Sequence, residues 1–281
     1  MFEYHEPQSL AEVTSLLAAH GEEARVLAGG TDLLVQMRKG RHQPRHLLNI
    51  KTVPGLDQIN VAEDCVEIGA AVTLNDAEQF LSAYREYGVL CQAMHSVASC
   101  QIRNRATLAG NVCNASPAAD TVPALVVLGA NIKIHGTHGD RLVPVDRFLT
   151  GPGRTVLLTG EVVSAIVLPR MNGGDGRGVF LRKARRPSLD LATVNVAVYT
   201  AEGSYRIALG AVGPTVIRVR EAERLLARQG LTASAAAEAA RLAMQAARPI
   251  TDVRGSYEYR LALVAALTEQ ALLTLAEEVR V

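Results

Sequence analysis

Residues 24–28 (ARVLA) form a short apolar run that breaks off at Gly29-Gly30-Thr31-Asp32, and residues 33–37 then read as the opening of a helix. Strand, glycine turn and helix start, in that order, predict a βαβ-type unit. The flanks agree. Ser9-Leu10-Ala11-Glu12 has the spacing of a capping box, and Leu10, Val13, Leu16 and Leu17 share one helical face until Gly21 stops it. Residues 46–50 (HLLNI) read as a second buried strand, so residues 1–55 predict a small unit whose ligand-facing feature is the double glycine.

Further along, residues 66–71 predict a strand, and Thr73 can cap a helix carrying Leu74, Ala77, Phe80 and Leu81 at core spacing. A helix is expected at 89–97. Residues 103–120 (RNRATLAGNVCNASPAAD) follow neither period, and long irregular segments inside compact domains are often functional. Then come a helix at 121–128, a hairpin at 131–135 and 141–145, and a strand at 161–168 that ends at Pro169. Asn172-Gly173-Gly174-Asp175-Gly176 reads as a linker and sets the expected boundary between 1–172 (subdomains about 1–55 and 56–172) and 173–281. Past it, strands at 179–184, 192–201 and 205–212 predict a three-stranded meander turning at Glu202-Gly203-Ser204. Ala-rich helices follow at 218–228, 234–247 and 257–279. The fold class is α+β, in two parts.

A chain of 281 residues suits two compact units. Lys and Arg total 29 against 28 Asp and Glu, a net charge of +1, so nothing draws in nucleic acid or an anionic membrane over long range, and an anionic ligand must be held locally. Aromatic residues make up 4% with no Trp, which leaves no stacking platform for single-stranded nucleic acid. The amino terminus lacks a signal-peptide pattern, and the longest apolar stretch, 122–130, is broken by Pro123 and Gly129; a cytoplasmic chain without a membrane span is expected. Cys65, Cys91, Cys100 and Cys113 form no CxxC pair and read as separate thiols. His135 and His138 sit beside Gly136 and Gly139 on the expected hairpin and read as exposed. With no G-x-S-x-G elbow and no H-E-x-x-H pair, no catalytic and no metal-ligating residue is assigned.

Chemistry concentrates in two glycine-containing loops about 80 residues apart, residues 27–32 and Thr107-Leu108-Ala109-Gly110-Asn111. Glycines let backbone N–H groups approach a phosphate closely, and a helix start adds its positive end, so a chain of net charge +1 can hold a diphosphate without a lysine cluster. Neither loop fits G-x-x-x-x-G-K-[ST], and Gly29-Gly30 lacks the third glycine of G-x-G-x-x-G.

The strings AGGTDLL (28–34) and QIRNRATLAGNVCNASPAADTVPALVVLGA (101–130) resemble the two FAD-binding loops of the medium, flavin-carrying subunit of molybdenum hydroxylases, a family that includes the carbon monoxide dehydrogenase medium chain and the flavin subunit of xanthine dehydrogenase. The resemblance spans nearly the whole chain, opening with FxYxxPxSLxE. It implies a two-subdomain FAD-binding fold of the PCMH type, followed by a three-stranded antiparallel sheet with a helical bundle. It also implies FAD as the cofactor, with Val26, Leu27, Ala28, Gly29, Gly30, Thr31, Asp32 and Leu33 wrapping the diphosphate through backbone amides and Thr107, Leu108, Ala109, Gly110 and Asn111 covering its other side. Asp120 would accept a hydrogen bond from a sugar or ribityl hydroxyl, and Val163 would pack near the isoalloxazine. Arg182, or Lys183 after a one-residue slip, would place positive charge near the flavin. Ala109 stands where the family's T-x-G-G-N has its first glycine, so this position needs φ below zero or carries mild strain.

By the same resemblance the chain is an oxidoreductase subunit for electron transfer. It would take electrons from a [2Fe–2S] small subunit and pass them to NAD, a quinone or another acceptor. Substrate would be oxidised on a molybdopterin-binding large subunit, in a dimer of heterotrimers. Arg103, Arg105 and the basic run 182–186 are the expected docking cations. The alternatives are a free-standing flavin oxidoreductase and a non-catalytic nucleotide-binding interaction module.

Overall fold

The computed structural model describes residues 1–170, 175–186 and 189–280; the expected linker residues Asn172, Gly173 and Gly174 lie outside the described residues. The chain divides into two compact units that are not contiguous in sequence. The first holds Met1–Ala77, Cys100–Asn114 and Ala130–Arg170; the second holds Glu78–Ser99, Ala115–Gly129 and the described residues of 171–281.

The first unit opens with a parallel three-stranded sheet, in which His46–Asn49 lies between Glu3–His5 and Ala24–Leu27. The helix Leu10–His20 starts where its sequence says: the Ser9 hydroxyl accepts from Glu12 N at 3.2 Å, and Glu12 Oε2 reaches back to the N–H of Gln8 at 2.8 Å. Glu3–His5 was not expected as a strand, because three residues are too few to show alternation. A five-stranded antiparallel sheet completes the unit, in the order Ile59–Val61, Cys65–Gly69, Glu161–Pro169, Asn131–Gly136, Gly139–Pro144. The expected irregular segment is in fact partly helical, with Cys100–Arg103 and Leu108–Cys113 folded as short helices. A six-residue helix is too short to register a 3.6-residue period.

The second unit is built on an antiparallel meander, Arg177–Lys183, Val194–Ala201 and Ser204–Gly210, extended at its edge by Ile217–Arg218, so the sheet has four strands rather than the expected three. Val194, Val196 and Val198 join Ile207 and Leu209 in a core with the helices Arg220–Gln229, Ala233–Ala246 and Tyr257–Arg280. The alternate residues of the same strand face the helix Thr121–Leu128, where Pro123 and Asn195 both crowd Gly210. Covered on both faces, the central strand reads as nearly unbroken apolar sequence. All eight residues of Thr121–Leu128 are buried, the mark of a helix enclosed on every side. Arg206 closes its carboxyl end, donating to Val127 O at 3.0 Å.

One helix among the described residues, Tyr257–Glu278, is long and apolar enough to cross a membrane by length and composition, which the sequence expectation had overlooked. Its Val264, Ala271, Leu272 and Leu275 are fully buried in the second unit's core.

Candidate functional site

The first glycine loop leaves the carboxyl end of the parallel sheet. Leu27 pairs with Asn49 in register, so the turn after Leu27 and the 3-10 turn Ile50–Thr52 emerge side by side. Ligands of parallel sheets gather at this end, where turns expose backbone donors. Gly30 takes φ +73°, a conformation that favours glycine. Among the described residues, the N–H groups of Gly29, Gly30, Thr31 and Asp32 have no protein acceptor. Four consecutive unpaired donors form a cradle that an anion can fill.

The second loop is held to the same place by backbone bonds. Thr73 and Thr107 form an isolated bridge, and Leu74 N donates to Ala106 O at 2.8 Å. Thr107 Oγ1 then accepts from Gly110 N at 3.0 Å as the cap of Leu108–Cys113. Ala109 is the second residue of that helix, 3% exposed, and its φ is not positive. An alanine is at home there, so the departure from T-x-G-G-N brings no strain. The two loops touch backbone to backbone: a Cβ on Gly29 would stand 2.1 Å from Arg105 O and 2.9 Å from Ala106 Cα.

Beside this junction are two cations that sequence reasoning did not assign to it. Burial and the nearby Arg105 guanidinium push the Lys51 ammonium below its usual pKa, and among the described residues neither side chain has a hydrogen bond or ion pair. Two like charges held close without a counter-ion favour an incoming anion. The only signal for Lys51 was its place just after the strand that pairs with 24–27. Arg103, by contrast, is buried and donates from Nε to Asn75 Oδ1 at 3.1 Å, which removes it from the expected docking surface.

Val163 lies on Glu161–Pro169, against which the helix Leu108–Cys113 packs. The strand's pairing with Asn131–Gly136 shifts between Val163 and Ala165, a bulge that re-aims the side chains around Ser164. Val163 itself is 4% exposed.

In the second unit the structure brings Asp120 and Arg182 into direct contact. Arg182 Nη1 donates to Asp120 Oδ2 at 2.9 Å and to Ser96 O at 2.6 Å, and Nη2 donates to Asp190 O at 2.5 Å. The other carboxylate oxygen accepts from Asn195 Nδ2 at 2.8 Å. Burial pushes the Asp120 carboxyl above its ordinary pKa, with Arg182, Asn195 and Ser96 pulling it back. Lys183 alternates to the other side of the strand and is exposed, so Arg182 is the cation with a fixed position. A depression of about 290 Å³ is lined by Arg182, Lys183, Ala184, Arg185 and Arg186.

The remaining candidates are simpler. His138 is exposed; His135 is half-buried instead, with Nδ1 2.5 Å from Asp140 Oδ1. The four cysteines are free, and burial pushes the Cys91 and Cys113 thiols up to about 11 and about 12, with Glu78 adding to the shift at Cys91. Both are protonated and unreactive at neutral pH.

Residues 1–171 match the model of the FAD binding domain in molybdopterin dehydrogenase, and residues 180–275 match that of the CO dehydrogenase flavoprotein C-terminal domain. The chain is 32% identical over 275 residues to the xanthine dehydrogenase FAD-binding subunit of Escherichia coli O157:H7, covering 96% of this chain and 94% of that one. Among solved structures it is similar to a chain of carbon monoxide dehydrogenase from Hydrogenophaga pseudoflava, with a TM-score of 0.93, 32% identity and coverage of 98% and 97%. A chain of quinoline 2-oxidoreductase from Pseudomonas putida 86 superimposes with a TM-score of 0.91 at 31% identity, covering 99% of this chain and 98% of that one.

Proposed function

The chain belongs to the family of FAD-binding subunits of molybdopterin dehydrogenases, and from that premise we propose that it carries electrons within a molybdenum hydroxylase complex. It receives them from a [2Fe–2S] small subunit and passes them to NAD, a quinone or another acceptor, while substrate is oxidised on a molybdopterin-binding large subunit. The observation that carries this reading is the joined pair of loops at the carboxyl end of the parallel sheet, with four free amides and two unpartnered cations beside them. FAD, when bound, supplies one- and two-electron redox chemistry.

In this reading the amides of Gly29, Gly30, Thr31 and Asp32 hold the diphosphate, the capped turn at Thr107–Asn111 closes over it, and Lys51 and Arg105 supply positive charge. Arg182 is the proposed cation toward the flavin. Its guanidinium is pinned by Asp120, Ser96 and Asp190, so its charge needs no reorganisation when negative charge develops nearby. Asp120 stays proposed as an acceptor for a cofactor hydroxyl, since a carboxylate has more lone-pair sites than its partners here occupy. Val163 is the proposed apolar neighbour of the ring system. The functional division into 1–172 for the cofactor (subdomains about 1–55 and 56–172) and 173–281 is supported by the spans of the two matching family models.

Lys51→Met and Arg105→Met should each weaken FAD binding about 10-fold, equivalent to about 1.4 kcal/mol, and each should flatten its salt dependence, because both cations reach solvent and are screened. Fluorescence titration of the deflavinated chain at two ionic strengths checks this. The functional reading is tested with purified components. The chain alone should show slow diaphorase activity, passing electrons from NADH to an artificial acceptor, and oxidise no organic substrate or CO, and adding the [2Fe–2S] and molybdopterin subunits should bring substrate turnover. Sustained substrate oxidation by this chain with FAD alone would overturn the proposal in favour of a free-standing flavin oxidoreductase.

A further inference from the structure

At the opposite end of the parallel sheet from the glycine loop, three histidines and a glutamate converge. Glu3 and His5 lie two residues apart on the edge strand and therefore on one face, and His46 opens the central strand directly opposite Glu3. His20 ends the helix Leu10–His20 and lays its ring on that of His46, with centroids 3.6 Å apart and planes 19° apart. His5 Nε2 is 3.1 Å from His46 Nδ1, and Glu3 Oε2 is 3.4 Å from His46 Nδ1 and 3.9 Å from His5 Nε2. The His5 and His46 side chains are only 17% and 15% exposed, while that of Glu3 opens to solvent at 66%.

These three atoms describe one face of a small coordination polyhedron. The nearest point equidistant from them, in their own plane, lies about 2.0 Å from each, and an ion slightly above that plane stays within the length of a zinc–nitrogen or zinc–carboxylate bond. Among the described residues this is the one group of three or more histidine, cysteine or carboxylate side chains placed to hold a metal ion. The backbone already fixes the two strands in register, and the stacked His20 ring fixes the plane of His46, so little ordering remains to be done when an ion arrives.

We propose that Glu3, His5 and His46 form a binding site for a divalent transition-metal ion of the Zn²⁺ type, with the fourth place open to water. Two imidazoles and one carboxylate suit Zn²⁺, and Co²⁺ can stand in for it, whereas Ca²⁺ and Mg²⁺ prefer all-oxygen shells. The site joins the first and third elements of the parallel sheet, at the end of His46–Asn49 away from Lys51, and it is independent of the flavin reading.

The full-length chain, stripped with a chelator, would be titrated with Zn²⁺ against a chromophoric competitor and with Co²⁺ by visible absorption. Wild type should bind one Zn²⁺ per chain, show the bands of low-coordinate Co²⁺, and melt at a higher temperature with Zn²⁺ than in chelator. His5→Gln and His46→Gln should each weaken Zn²⁺ binding at least about 10-fold and lose the Co²⁺ bands, with melting in chelator and FAD content as in wild type. Glu3→Gln should weaken binding less, since its carboxylate is the exposed ligand, and His135→Gln should leave binding unchanged. A wild-type melt that Zn²⁺ does not move, or equal Zn²⁺ affinity in wild type and the His5→Gln/His46→Gln double variant, would overturn the site and leave a hydrogen-bonded imidazole pair.

Discussion

Gly29→Ala is expected to lower FAD affinity at least about 100-fold while the chain stays folded. The added Cβ would stand 2.1 Å from Arg105 O and 2.8 Å from Arg105 C, distances that no side-chain rotation relieves because both atoms are backbone. The two loops must therefore separate by about 1 Å to reach van der Waals contact. The free amides of residues 29–32 belong to one loop and the Arg105 guanidinium to the other, so they lose their common focus. Hydrogen bonds to a charged group contribute about 1.5–3 kcal/mol each, so misplacing two of them accounts for the 100-fold loss. Gly88→Ala is the control: Gly88 has helical φ of −52° and nothing within 4 Å of where an added methyl group would stand, so it should bind FAD as wild type does and gain up to about 1 kcal/mol of stability. Retained FAD and flavin absorbance on denaturing purified Gly29→Ala would show that the junction does not shape the site.

How far the sequence alone could reach is clear from the same junction. Both loops were legible, the first from its glycines after a strand and the second from its glycine and its resemblance to T-x-G-G-N. The contact between them was not, since Gly29 and Arg105 lie far apart in sequence and only their folded backbones show that no Cβ fits. Lys51 was invisible for a related reason: a single lysine after a strand says nothing until strand register places it beside the glycine turn. The same limit explains Asp120 and Arg182. Each was picked out singly, on family resemblance, while their ion pair and the Asn195 amide that completes it depend on the meander's register.

Strands and helices of ordinary length were found where expected, from the capped Leu10–His20 helix to the meander. Errors fell on short pieces, among them Glu3–His5, Ile59–Val61, Cys100–Arg103, Leu108–Cys113 and Ile217–Arg218, which carry too few residues for periodicity to speak. Thr121–Leu128 (TVPALVVL) was expected as a helix, and its sequence has no polar face; a helix apolar all round must be enclosed, and this one is enclosed in the second unit.

Arg260→Leu should destabilise the chain by about 3–5 kcal/mol, the typical cost of breaking one side of a buried ion pair. Arg260 is 1% exposed and lies on the longest helix of the second unit. Its Nη1 donates to Thr193 O at 2.7 Å and Ala211 O at 2.9 Å, and Nη2 donates to Asp252 Oδ1 at 2.6 Å. One guanidinium thus ties the strand-entry residue Thr193, the turn after Ser204–Gly210 and the 252–255 turn to the helix. Leucine fills only part of its volume and leaves two carbonyls and a carboxylate without their donor. Burial works against the charge on Asp252, yet the side chain and backbone N–H of Arg254 and the guanidinium of Arg260 hold its carboxyl well below the usual carboxylate range. A depressed folded-state pKa stabilises the fold fully above the unfolded value of about 3.9 and loses that contribution as pH falls toward the folded value. The penalty of Arg260→Leu, measured by urea denaturation, should therefore be greatest near pH 6 and shrink toward pH 2, where the unfolded chain takes up a proton on Asp252 that folded wild type does not. A loss below about 1 kcal/mol at pH 6, or a penalty that grows on acidification, would show that the buried guanidinium does not organise this part of the fold.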